Sequence, residues 1–66
     1  QSVIDAVLHT RLREAARLLE QTPSSIKEIA YACGFGSPFY FSAQFRRRYG
    51  SSPRAWRTRP GRRTSP

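Results

Sequence analysis

The chain has 66 residues and carries twelve Lys+Arg against four Asp+Glu, a formal net charge of +8. A domain this small buries only about 60% of its unfolded surface, which argues against an active-site cleft of ordinary size and predicts marginal stability alone. The charge balance points to a polyanionic partner, nucleic acid before an acidic membrane surface, the plainer account being a fragment whose remainder carries the acids.

Eleven of the twelve basic residues are Arg, and Lys27 is the one Lys. Guanidinium suits bidentate phosphate and guanine contacts, although G+C-rich codon usage explains most of such a preference. Cys33 is the single cysteine, so the chain has no internal disulfide and no cysteine cluster for zinc. No apolar run approaches the ~20 residues of a membrane span, and Gln1–Leu8 has no signal-peptide pattern.

Residues 3–20 read as a helix. Val3, Ile4, Val7, Leu8, Leu12, Ala15, Leu18 and Leu19 recur at three- and four-residue steps, with Arg11, Arg13, Glu14 and Arg17 mainly opposite. Ser2 is placed to cap it, Asp5 suits the first turn, and Pro23 disfavours helix at Thr22. Residues 26–33 read as a short second helix. Ser25 and Glu28 form a capping-box pattern, Ile26, Ile29, Ala30 and Cys33 give an apolar stripe, and Gly34 supplies a left-handed stop.

Residues 38–49 read as a third helix, opened by Ser37 at the N-cap and Pro38 at the first position and closed by Gly50. Ser52-Pro53 repeats that start and opens a final turn over 53–57. The remainder, 58–66, holds Pro, Gly and Arg without an apolar residue and reads as a disordered basic tail. The domain plan is therefore a long helix over 1–22, a helix-turn-helix lobe over 23–57 and the tail. Two helices joined by the short Gly-Phe-Gly-Ser connection are a helix-turn-helix candidate, a pattern other small helical domains share.

The third helix has two faces. Phe41, Phe45 and Tyr49 lie at i, i+4 and i+8, one aromatic stripe that with Phe35 reads as core. Ile26, Ile29, Ala30 and Leu19 complete the expected core. The opposite face sets Phe39 and Tyr40 near the N-terminal end, Ala43 in the middle, and Arg46 and Arg47 toward the C-terminal end. A small central residue lets a helix approach a surface closely, and flanking arginines reach phosphates or guanine edges. The plainer readings are a solvated basic face for the Arg46–Arg48 run and a neighbouring domain packed on Phe39.

Other ionisable residues assemble nothing. His9 has no ligand partner at metal spacing and reads as a surface histidine. Cys33 reads as a small buried residue. No nucleophile–base pair or carboxylate pair is present, and Gly34-Phe35-Gly36 lacks the context of a phosphate-binding loop. No catalytic, cofactor-binding or metal-binding residue is expected.

Residues 25–57, SIKEIAYACGFGSPFYFSAQFRRRYGSSPRAWR, resemble the second helix-turn-helix of the AraC/XylS family of bacterial transcription regulators. The matches include Ile26, Ile29, Ala30, Gly34, Phe35, Ser37, Tyr40, Phe41, Ser42, Phe45, Arg46, Arg47, Gly50, Ser52, Pro53 and Arg57, with Trp56 at an aromatic position. Residues 11–22 resemble the helix that links the family's two lobes, and the likeness covers about residues 7–57. It implies an all-α, homeodomain-like three-helix lobe preceded by a long linker helix. It also implies a first lobe upstream in a longer chain, one helix of each lobe in adjacent major grooves, and a cytoplasmic regulator, commonly an activator contacting RNA polymerase, often with a separate ligand-binding domain. Polar residues that the family often carries at 39 and 43 are replaced here by Phe39 and Ala43.

The expected partner is double-stranded DNA, not membrane. Phe39, Tyr40, Ala43, Gln44 and Arg47 are expected to face bases, Phe39 and Ala43 by contact with thymine methyl groups. Lys27, Ser37, Arg46, Arg48 and Arg54 are expected at phosphates, with low sequence discrimination from this lobe. The rivals are a protein-interaction module docking through Phe39 and the first-helix stripe, and a membrane-active cationic peptide, which the capped, punctuated plan opposes.

Overall fold

A computed structural model describes residues 2–59, and their regular structure is entirely helical: α1 (Val3–Gln21), α2 (Ile26–Ala32), α3 (Pro38–Tyr49) and α4 (Pro53–Thr58). Each start is set by a side chain that satisfies helix donors lacking an internal partner. Ser2 Oγ accepts from Asp5 N at 3.1 Å. Ser25 Oγ accepts from Glu28 N at 3.0 Å while Glu28 Oε1 accepts from Ser25 N at 2.8 Å, completing the capping box. Ser37 Oγ accepts from both Phe39 N and Tyr40 N, and Ser52 Oγ accepts from Ala55 N.

The ends differ slightly from expectation. Helix α1 runs one residue further, to Gln21, because only Thr22, directly before Pro23, must leave the helical region; Thr22 is extended and its hydroxyl donates to Leu18 O at 2.8 Å. Helix α2 stops at Ala32, with Cys33 as its cap. Phe35 N donates to Ala30 O and Gly34 N to Tyr31 O, a Schellman arrangement that needs the left-handed Gly34, φ 89°. Helix α4 includes Thr58, and the Arg59 guanidinium lies 4.5 Å from the Trp56 ring centroid. The tail expected to be disordered over 58–66 is ordered at its start, where Thr58 is helical and Arg59 caps α4; residues 60–66 lie outside the described residues.

Helix α1 packs on α2 and α4, and α3 packs on the same two. The core holds Leu12, Ala15, Ala16 and Leu19 of α1, Ile29, Ala30 and Cys33 around α2, Phe35 of the turn, and Phe41 and Phe45 of α3. Ile26 and Tyr49, expected inside, are partly buried against it, as is Trp56. The rings form a continuous chain. Centroids lie 5.0 Å apart for Phe35–Phe41, 5.7 Å for Phe41–Phe45, 4.5 Å for Phe45–Tyr49 and 4.9 Å for Tyr49–Trp56. Such pairs add about 0.5–1.5 kcal/mol each beyond the area they bury. The α1 stripe is only half covered: Val3 and Ile4 are 80% and 78% exposed.

Candidate nucleic-acid interface

Helix α3 is held by one face, which leaves the other to define a surface. Phe41 and Phe45 are fully buried, so the residues between them in the helical repeat must point outward. Phe39, Ala43, Arg46 and Arg47 are exposed along that outer ridge. Phe39 is the extreme case at 85%. Its backbone is fixed by the bonds of Phe39 N and Tyr40 N to Ser37 Oγ, at 3.0 and 3.2 Å.

The other expected base-facing residues sit at the flanks. The Tyr40 ring leans on Phe35, centroids 5.9 Å apart, and is half exposed. Gln44 is half-buried and lines a groove with Asp5, Leu8, His9 and Leu12 of α1, into which Arg47 and Arg48 also reach. Of the expected phosphate contacts, Lys27, Arg46 and Arg54 are exposed on α2, α3 and α4. Ser37 Oγ already accepts two backbone donors, leaving its O–H to donate to a ligand. Arg48 turns to the α1 side, where its Nη2 donates to the His9 ring. His9 is therefore half-buried and engaged, and not a free surface histidine.

The α3 ridge itself carries no carboxylate, and Asp5 of α1 lines the groove at its flank. Asp5, Glu14 and Glu20 are on α1 and Glu28 is in the capping box, so α3 and α4 carry arginines and no acid. On α1, hydrogen bonds from Arg17 hold the Glu14 carboxyl below the usual carboxylate range, and the same pairing raises Arg17. Burial pushes the Cys33 thiol up, so it stays protonated and packs as an apolar group. Among the described residues no His, Cys, Asp and Glu group could hold a metal ion, and no helix is long and apolar enough to cross a membrane.

Two supporting contacts were not foreseen. His9 and Arg48 are 39 residues apart and nothing local links them. Arg57 spans from α4 to the end of α1, donating from Nε to Leu19 O at 3.1 Å and from Nη2 to Thr22 O at 3.0 Å. The only signal for the latter was that Arg57 closes the family pattern.

The family model described as a helix-turn-helix domain matches residues 1–59. The HTH-type transcriptional regulator GlxA of Rhizobium meliloti (strain 1021) is 50% identical over 58 residues, 88% of this chain and 18% of that protein. The HTH-type transcriptional activator RhaS of Pectobacterium carotovorum subsp. carotovorum is 47% identical over 47 residues, 71% of this chain and 17% of that protein. The chain thus spans less than a fifth of these relatives. A crystal structure of the DNA-binding domain of AdpA, a global transcriptional factor in complex with a target DNA, superposes with a TM-score of 0.89 at 38% identity, covering 96% of this chain and 57% of that one. Capped helices, a Schellman turn into an aromatic-stripe helix and these likenesses agree: the chain belongs to the helix-turn-helix domain family of the AraC/XylS-type transcription regulators.

Proposed function

We propose that the chain is a double-stranded-DNA-binding lobe of a bacterial AraC/XylS-type transcription regulator and that it sets α3 into the major groove. One observation carries this reading: an outward ridge of α3 that ends in arginines, on a fold sharing a TM-score of 0.89 with a DNA-complexed domain. Phe39, Ala43 and Arg47 face the bases, with Tyr40 and Gln44 at the flanks. Lys27, Ser37, Arg46 and Arg54 serve phosphates, and Arg48 joins them by leaving His9. Residues 1–22 act as the linker helix and 23–57 as the lobe. The whole protein works in the cytoplasm as a regulator, not as an enzyme, with RNA polymerase as a further partner.

The exposed Val3 and Ile4 favour a second reading for that end of α1 alone, contact with a further protein lobe.

Titration with mixed-sequence duplex DNA at several salt concentrations tests the proposal. Neutralising about four phosphates gives a slope of log K against log salt near −3.6. The Arg46→Ala, Arg47→Ala double variant should lower that slope by about one to two units. No binding at low salt, or an unchanged slope in the double variant, counts against α3 as the DNA-facing element.

A further inference from the structure

We propose that the outer ridge of α3 reads the C5-methyl groups of pyrimidines in the major groove, thymine and 5-methylcytosine alike, with Phe39 as the contacting ring. The proposal rests on the DNA-binding reading above and specifies what that site recognises.

The ridge begins without hydrogen-bonding side chains. Phe39 and, one helical turn on, Ala43 are both exposed and carry no side-chain donor or acceptor, and the first donors along the ridge are Arg46 and Arg47. In the major groove every hydrogen-bonding base edge needs a polar partner; the one apolar feature a standard base pair offers there is the thymine C5-methyl. Methylation of cytosine at C5 puts the same carbon at the same ring position. An apolar ridge therefore distinguishes base pairs by the presence or absence of that methyl.

The polar residues that would compete for this role are drawn aside. Tyr40 is tied to Phe35, and Gln44 is half-buried beside α1. Phe39 makes no ring contact among the described residues, whereas the rings of Phe35, Tyr40, Phe41, Phe45, Tyr49 and Trp56 do. Its backbone is nonetheless fixed, because Pro38 presets the first turn and Ser37 Oγ holds the Phe39 and Tyr40 amides. A backbone set before binding leaves only the ring's own rotamers to be ordered in the groove.

Charge selects the occupant. An exposed phenylalanine elsewhere is as good a protein-docking knob as a base reader. Here it is followed on its own ridge by Arg46 and Arg47, and α3 has no carboxylate. A polyanion that presents methyl groups between two rows of phosphates matches that combination; an ordinary apolar protein surface leaves the arginines unpaired.

The test uses one mixed-sequence duplex prepared in three forms: with thymine, with deoxyuridine in place of every thymine, and with that deoxyuridine plus 5-methylcytosine in place of cytosine. Affinity is measured at fixed salt for the chain and for Phe39→Ser. Burying one methyl shifts affinity about 4-fold. The expected result is roughly 4-fold weaker binding of the deoxyuridine duplex per contacted methyl, recovery with 5-methylcytosine, and no difference among the three forms for F39S. Circular dichroism should find F39S folded, since residue 39 is outside the core.

Equal binding of the thymine and deoxyuridine forms with an intact salt slope overturns methyl reading and leaves DNA binding standing. Failure of 5-methylcytosine to restore affinity overturns the claim that the methyl, rather than thymine as a whole, is read. F39S that discriminates as the parent does assigns the ring to another partner and overturns the proposal. No binding of any form in low salt defeats the DNA reading itself.

Discussion

Arg57 is the residue whose removal should cost most for its degree of exposure. The last turn of α1 has no basic residue of its own. A helix leaves its final carbonyls without internal partners, and their dipoles favour a cation. Thr22 N satisfies Leu18 O, and the Arg57 guanidinium reaches across from α4 to take Leu19 O and Thr22 O. Helix α4 spans only six residues, too short to persist without tertiary contacts. The two hydrogen bonds involve a charged donor, a class worth about 1.5–3 kcal/mol each, but they share one half-exposed group. We therefore take the pair together as about 2–3 kcal/mol. Against a total of roughly 3–10 kcal/mol for a chain of this length, that is a large fraction. In thermal unfolding followed by far-ultraviolet circular dichroism, Arg57→Ala should lower Tm by roughly 10–20 °C. Arg57→Lys keeps the charge but loses the planar fork, so it should recover less than half of the loss. An Arg57→Ala variant within about 0.5 kcal/mol of the parent refutes the bracing role. A fully recovered Arg57→Lys refutes the part assigned to the fork.

Three further outcomes follow from the turn and the cap. Ser37→Ala removes the acceptor for two amides and should cost about 1 kcal/mol, read as a Tm lower by about 4–8 °C, with faster amide exchange at Phe39 and Tyr40. Gly34→Ala should cost about 1–2 kcal/mol because the position is left-handed at φ 89°. The added Cβ meets only the end of the flexible Arg11 side chain, at 3.1 Å. Gly36→Ala meets no atom within 4 Å and no positive φ, so the same denaturation assay should find it neutral or stabilising by up to about 1 kcal/mol.

The parts legible in the sequence were those decided within a few residues. Ser25 with Glu28, Ser37 with Pro38, Gly34 and Gly50 each mark a helix end by satisfying or ending a local hydrogen-bond ladder, and the structure uses each in that way. The aromatic stripe of α3 was legible because three rings at helical spacing can share one face. The contacts that tie helices together were not. The bond from Arg48 to His9 and those from Arg57 to α1 depend on how whole helices cross, which spacing does not encode. The half-covered stripe of α1 is the opposite case. Periodicity identifies Val3 and Ile4 as apolar, and only the packing reveals that nothing among the described residues covers them.

The exposure of Phe39 is itself a consequence of that packing. Two registers of α3 are open to its aromatic residues. Turning Phe39 inward would carry Phe41 and Phe45 away from the core. Two fully buried rings would then face water in place of one. Burial of each large side chain stabilises by about 1.5–3 kcal/mol, so the observed register is preferred by about one such increment before any partner is considered. Ser37 and Pro38 point the same way, because they fix which residue begins the helix. The fold therefore does not need the ring at 39, nor anything larger than a methyl at 43, to choose its structure. Residues at these two positions are free to vary in chemistry while the aromatic chain behind them holds α3 in place, and it is on such positions that a choice among base pairs can be built without a cost in folding.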